Sequence, residues 1–238
     1  FEAALISTMY HPGKTPLRTV FENPFFAPPG IAEAGEWTNT VVNASPPIQK
    51  EMDSWNVKVV FSFVVGPYEY MGKKPFKKVE DLKGQRIRLD PISGRPLEEY
   101  GAVMNNIPGP EIYTALERGL IDSVIFAWPY TFSTYKLNEL SKYATVGLGL
   151  KVADMYVGCG KDAWNALPDE WKKLSEAAAA KTIEWYMDFR KQDDAKHLEL
   201  FAKQQLEIVT LAPEERAKLV EKAPVSYTHL TLPTNREV

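Results

Sequence analysis

A single cysteine, Cys159, stands in 238 residues, which excludes an internal disulfide and any cysteine-cluster metal site. Histidine is nearly as scarce. His11 and His197 lie far apart and His229 sits close to the C-terminus, so no metal site and no cofactor are expected. The chain also lacks a basic excess: 28 Lys and Arg stand against 31 Asp and Glu, a formal net charge of −3. The electrostatic footprint of a nucleic-acid binder is therefore missing. Long apolar runs are missing too. The longest, Val57 to Val65, is interrupted by Lys58 and Ser62 and is far too short to span a bilayer, so no membrane insertion is expected.

Nucleotide and nucleophile motifs are incomplete. Gly13-Lys14-Thr15 ends like a phosphate-binding P-loop, but Thr8 stands where the first glycine belongs and Pro16 where the helix should begin; it reads as a turn. Gly147-Leu148-Gly149 lacks the third glycine of a dinucleotide fingerprint and reads as a strand-edge turn. There is no Gly-x-Ser-x-Gly elbow. Cys159, between Gly158 and Gly160, reads as a small buried residue with no local base. His11, before Pro12, could contact a ligand from a loop, and His197 reads as a surface residue. The Lys73-Lys74 and Lys77-Lys78 run reads as a solvated loop, and Asn43-Ala44-Ser45 matches a glycosylation sequon. Neighbouring acids such as Glu98-Glu99 and Asp193-Asp194 point apart on a helix. No acid–base pair assembles, so no enzyme is expected.

What is present is ordinary globular material, 45% hydrophobic and 25% charged, which argues against wholesale disorder. Phe1–Ile6 reads as a strand, after which seven prolines punctuate the first fifty residues. Val57–Val65 is β-branched and aromatic, closed by Gly66-Pro67, and predicts a buried strand. Gln85–Leu89 predicts another, with Ile87 and Leu89 on one face and Arg86, Arg88 and Asp90 on the other. Pro110 to Gly119 predicts a helix burying Ile112, Ala115 and Leu116, and Leu120–Phe126 a strand directly after it. Helix, glycine turn and strand in succession favour a parallel or mixed sheet covered by helices. From Asp169 to Ala212 there is neither glycine nor proline. A helix opened by Leu167-Pro168 with an apolar stripe of Trp171, Leu174, Ala178, Trp185 and Phe189, extended by Ala195, Leu198 and Phe201, is expected there. It is long enough to bridge two lobes, with Leu206–Leu211 returning as a strand.

Both ends look unusual. Phe1 starts the chain without a methionine, and the native start is expected to be missing. Val225 to Thr234 resembles a transposase sequencing adapter translated in one frame, so residues 225–238 are expected to be a library artefact.

Three stretches carry a family resemblance. Glu80-Asp81-Leu82-Lys83-Gly84-Gln85-Arg86-Ile87-Arg88-Leu89 is similar to TRAP-type solute-binding proteins, receptors of tripartite ATP-independent periplasmic transporters. Gly101-Ala102 with Glu111-Ile112-Tyr113-Thr114-Ala115-Leu116-Glu117-Arg118-Gly119-Leu120-Ile121-Asp122, and then Trp164 with Leu167-Pro168-Asp169-Glu170-Trp171, follow in order and spacing. Tyr10 to Pro16 and Asn23-Pro24-Phe25 fit upstream.

The resemblance implies an α/β, two-lobed periplasmic-binding-protein-like fold with a long hinge-spanning helix, here truncated at both ends. It divides the chain into lobe I (1–64, leading units missing), lobe II (65–152), a return to lobe I with the long helix (153–193), and a lobe II or hinge remainder (194–224). An open sheet edge would then be left, and a protein expressed as written would aggregate or bind weakly. The resemblance further implies a periplasmic location, a small organic-acid ligand and TRAP-type permease subunits as partners. A periplasmic sensor for a signalling receptor and a carboxylate-processing enzyme are the alternatives.

Among the implied site residues Arg88 leads, because a guanidinium fork matches a carboxylate bidentately; its alternative is a salt bridge to Asp90 or Glu99. Arg86 should point the same way by strand parity. Trp128 would stack on the ligand body, or serve the core. Tyr68 occupies a cleft-entry position where some relatives carry a second Arg, and a phenol there suits a ligand with one carboxylate and a hydroxyl or keto group. Tyr10 and Met155 are further candidates from crossover segments, and Asp154 is a candidate to orient Arg88.

Overall fold

The computed structural model describes residues 2–10, 13–28 and 30–228. From the N-terminus, β1 (Ala3–Ser7) leads through short turns to α1 (Ile31–Trp37), α2 (Pro46–Ser54) and β2 (Val57–Val65). Next come β3 (Tyr68–Gly72), β4 (Arg86–Arg88), α3 (Pro91–Glu98), β5 (Val103–Asn105), α4 (Ile112–Glu117), β6 (Ser123–Ala127), α5 (Tyr130–Thr134) and β7 (Tyr143–Val146). The chain closes with β8 (Ala153–Gly160), α6 (Lys161–Ala166), α7 (Asp169–Lys203), β9 (Glu207–Thr210) and α8 (Pro213–Thr228).

The strands form two sheets, one of three strands in the order β1-β8-β2 and one of six in the order β5-β4-β6-β3-β7-β9. In the small sheet β8 pairs antiparallel with both neighbours. In the large one β4 runs parallel to β5 and β6, and β7 parallel to β9, while β3 is antiparallel to β6 and β7. Mixed pairing is what the helix–turn–strand succession predicts. Strands β3 and β6 are buried along their whole length, as near-continuous apolar runs covered on both faces should be. Leu82, Ile87, Leu89, Leu97, Val124 and Phe132 belong to the large core, and a smaller cluster of Val42, Ile48, Met52 and Tyr156 sits under the three-stranded sheet.

The chain passes between the sheets at three places. β2 runs into β3 through Gly66-Pro67, β7 into β8 through residues 147–152, and α7 carries the chain from α6 to β9. Gly66 has φ +137, and a Cβ built there would lie 3.2 Å from the Val152 Cα. The first two crossings therefore pack backbone to backbone, which only a glycine permits.

The predicted helix before Gly119 splits into a 3-10 turn, Gly109–Glu111, and α4, with Ile112, Ala115 and Leu116 buried as expected. Gly119 (φ +69) ends it, and the Leu120 N–H bonds the Ala115 carbonyl at 2.9 Å. The glycine- and proline-free stretch does form one helix of 35 residues. Its stripe is less covered than predicted: Trp171, Leu174, Trp185 and Phe189 are 57%, 57%, 61% and 40% exposed. A helix connecting two sheets is buried only where it touches each. α7 meets the small sheet through Tyr186, whose ring packs 5.0 Å from Phe63 and whose hydroxyl donates to the Val64 carbonyl. It meets the larger unit through Arg190, His197 and Phe201.

Three smaller expectations change. His197 is half-buried, bonded through Nδ1 to Ser133 Oγ and through Nε2 to Asp193. Of the neighbouring acids Asp193 and Asp194, the second pairs with the buried Arg190 at 2.8 Å and so serves an internal contact. Asn43 accepts a hydrogen bond from Arg18 Nη1, so the sequon asparagine serves an internal network. His11, Pro12 and residues 229–238 of the adapter-like tail lie outside the described residues.

Candidate ligand-binding site

Arg88 ends β4 beside Asn105 of β5 and Val124 of β6, at the carboxyl end of three parallel strands, where open α/β sheets present their crevices. It is 2% exposed. Its Nε donates to the Ile107 carbonyl at 3.0 Å, and the guanidinium carbon lies 4.5 Å over the Phe126 ring. Among the described residues its two terminal nitrogens find no hydrogen-bond acceptor, and neither belongs to the polar atoms sealed from solvent. A guanidinium held by one edge and one face, with its fork left over, is prepared for a planar anion.

The ring under Arg88 organises the neighbourhood. Phe126 takes the edge of Tyr68 at 5.7 Å and stacks on Tyr135 at 5.7 Å. Tyr68 opens β3 directly after the first crossing and is buried, with the Lys151 ammonium 5.0 Å above its ring. Lys151, itself buried, comes from the second crossing and bonds Asp90 Oδ2 at 2.7 Å. Asp90 also caps α3, its Oδ1 accepting the Ser93 N–H at 2.9 Å. Burial alone would raise the Asp90 carboxyl, but the Lys151 ammonium and the Ser93 N–H hold it below the ordinary range. The alternative Arg88–Asp90 salt bridge is thus pre-empted by a lysine 61 residues away.

The other candidates are spread out. Trp128 packs on Phe132 and Phe201 at 5.7 and 5.3 Å, and its carbonyl accepts from Arg190, so it joins α5 to α7. Met155 lies in the small sheet between Ser7 and Phe63. Tyr10 ends a 3-10 turn, Thr8–Tyr10, and its side chain lies outside the described residues. Arg86 shares the strand with Arg88 but is quenched by Asp122 at 2.8 Å in an exposed pair. Asp154 does not orient Arg88. It bonds Arg18 Nε at 2.7 Å with both side chains fully buried. Arg88, Tyr68, Phe126 and the unforeseen Lys151 come together; Met155 and Trp128 have other neighbours.

Two buried carboxyls are shifted upward. Burial pushes Glu69 up to about 7, against the N–H groups of Leu148 and Gly149 that bond its two oxygens. Burial also raises Asp154, with Arg18 offsetting only part of the cost. A cavity of about 410 Å³ opens elsewhere, between α2, β2 and α6. Two of its cations are already engaged, Arg18 by Asp154 and Lys161 by Asp53. The site around Arg88 is the better candidate on chemical grounds.

Lys151 and Arg18 escaped the sequence reading. The only signal for Lys151 was a lone cation between Leu150 and Val152 in an apolar crossing; for Arg18 there was none.

The family model described as bacterial extracellular solute-binding protein, family 7, matches residues 1–231. A monocarboxylate 2-oxoacid-binding periplasmic protein of Nostoc sp. is 33% identical over 124 residues, 52% of this chain and 33% of that protein. A solute-binding protein of Albidiferax ferrireducens is 25% identical over 146 residues, 58% of this chain and 42% of its own length. The matches thus span between a third and under half of these relatives. Among solved structures, a TRAP periplasmic solute-binding protein of Desulfovibrio salexigens with bound orotic acid superposes with a TM-score of 0.85 at 23% identity, covering 96% of this chain and 73% of that one. One of Xanthobacter autotrophicus with bound β-D-galacturonate gives 0.84 at 19%, covering 98% and 76%. With residues 1–231 matched and this fold shared, the chain belongs to family 7 of the bacterial extracellular solute-binding proteins, with the architecture of the TRAP periplasmic receptors.

Proposed function

We propose that this protein captures a small organic acid outside the cytoplasmic membrane and presents it to a TRAP-type permease, without chemical change to the ligand. The reading rests on Arg88, whose buried guanidinium uses only Nε for hydrogen bonding among the described residues. Its fork takes the ligand carboxylate, Phe126 and Tyr68 bound the ligand body, and closure of the two lobes about the crossings buries the complex. Closure follows only if the acid binds the closed form more tightly than the open one. In this reading the lobes correspond to residues 1–64 and 65–152, with 153–193 returning to the first and 194–224 forming a remainder of the second or of the hinge.

A ligand with one carboxylate and a keto or hydroxyl group suits the site best. Asp90 and Lys151 neutralise each other, and among the described residues no second open cation waits beside Arg88 for a dianion; Tyr68 supplies a phenol ring at the cleft entry. The name of the Nostoc relative, a binder of monocarboxylate 2-oxoacids, agrees with this choice. Tyr10, Trp128 and Met155 are assigned supporting contacts in the closed state.

Titration calorimetry of the chain against 2-oxo and 2-hydroxy monocarboxylates tests the proposal. Arg88→Ala should weaken binding by about 10- to 100-fold, the loss of one charge-assisted interaction of about 1.5–3 kcal/mol. Heat from neutral sugars or amines but never from acids would overturn the ligand class. An Arg88→Ala protein with undiminished affinity would overturn the site.

A further inference from the structure

Arg88 and Asp90 are two residues apart, at and just beyond the end of one strand, so their side chains leave the backbone on the same side. A buried carboxylate that close to a buried guanidinium would ordinarily pair with it, and the pair would have no fork to offer a ligand. Lys151 prevents this. Its ammonium reaches Asp90 Oδ2 at 2.7 Å from the second crossing, with no exposure of its own side chain, while the Ser93 N–H occupies Oδ1. Both oxygens of Asp90 are thereby turned toward α3 and the crossing. We infer that Lys151 is a positioning residue that sequesters Asp90 and so keeps the Arg88 guanidinium available to the ligand carboxylate.

The inference rests on the carboxylate-binding reading above and adds a residue to it. Lys151 acts through Asp90, not by touching the ligand: its ammonium lies over the Tyr68 ring and against Asp90. The arrangement also ties both crossings to the strand that carries Arg88, because Tyr68 follows the first crossing and the Tyr68 N–H bonds the Lys151 carbonyl at 2.9 Å.

The test is a double-variant cycle on the full chain, reading the dissociation constant of pyruvate, or of whichever 2-oxo or 2-hydroxy acid the parent binds. Lys151→Met should weaken binding more than tenfold, because Asp90 is released to compete for Arg88. Adding Asp90→Asn to that variant should bring affinity back to within about threefold of the parent, and Lys151→Arg should retain it. Asp90→Asn alone removes the competitor and should also stay within threefold, which keeps the test open if Lys151→Met does not fold. Unchanged affinity in a folded Lys151→Met protein overturns the inference. So does a double variant as weak as Lys151→Met, which would mean direct ligand contact or a purely structural role, and so does a loss beyond threefold in Asp90→Asn. If the parent binds no acid at all, the functional reading fails first, and that outcome is separate.

Discussion

Two arginines divide the molecule. Arg18, under the three-stranded sheet, is fully buried and lies 4.4 Å over the Tyr156 ring; Arg88, in the six-stranded sheet, is 2% exposed and lies 4.5 Å over Phe126. Burial and aromatic support are nearly the same. The partners differ. Arg18 spends every nitrogen: Nε on Asp154 at 2.7 Å, Nη1 on Asn43 at 2.9 Å and Nη2 on Ser62 at 2.8 Å. Arg88 spends Nε on one carbonyl. A desolvated cation whose donors are all met is a structural part, whereas one with its fork left over carries a cost that an anionic ligand relieves. Burial alone would not have told them apart.

The largest expected effect tests the structural half of that contrast. Arg18→Ala strands Asp154 in the interior and should lower unfolding free energy by about 3–5 kcal/mol in urea titrations. Arg88→Ala should move it by less than about 1 kcal/mol, and equal losses would erase the distinction.

Next in size is a pH effect in the larger unit. Glu69 holds its proton to about pH 7 when folded and to about 4.5 otherwise. Its contribution is therefore complete below pH 4.5 and disappears as pH rises through 7, amounting to about 3 kcal/mol over that window. Glu69→Gln should flatten the stability profile there, while the raised Asp154 leaves a slope of the same sign in both proteins. Parallel parent and variant profiles would refute the assignment to Glu69.

Arg88→Lys keeps the charge but not the fork, and calorimetry should show acid binding weakened by about tenfold, near 1.4 kcal/mol. The smallest effect concerns the joint between the sheets. Gly66→Ala forces a Cβ toward Val152 at a φ that side chains avoid, and should cost about 1 kcal/mol in the melting transition.

Much of the scaffold could be read in advance. Val57–Val65 was bounded by its own composition, and β2 has those limits. Ile112, Ala115 and Leu116 were assigned to the core by helical spacing, and all are buried. The stripe on α7 misled because periodicity reports which residues share a face, not whether anything lies against that face. Arg88 was visible through strand parity and its family motif. Its actual surroundings were not: Phe126 sits on another strand, and Lys151 reaches Asp90 across 61 residues.

Local sequence by itself determined the elements, the long helix and the family to which the chain belongs, because propensity, turn chemistry and motif spacing act over a few residues. Tertiary structure alone decided which cations are neutralised. Arg18 meets Asp154 across 136 residues, and Arg86 and Arg88, two positions apart on one strand, end respectively in an ion pair and with an open fork. Pairing depends on distance through space and on what burial removes from water, and neither quantity exists until the chain has folded.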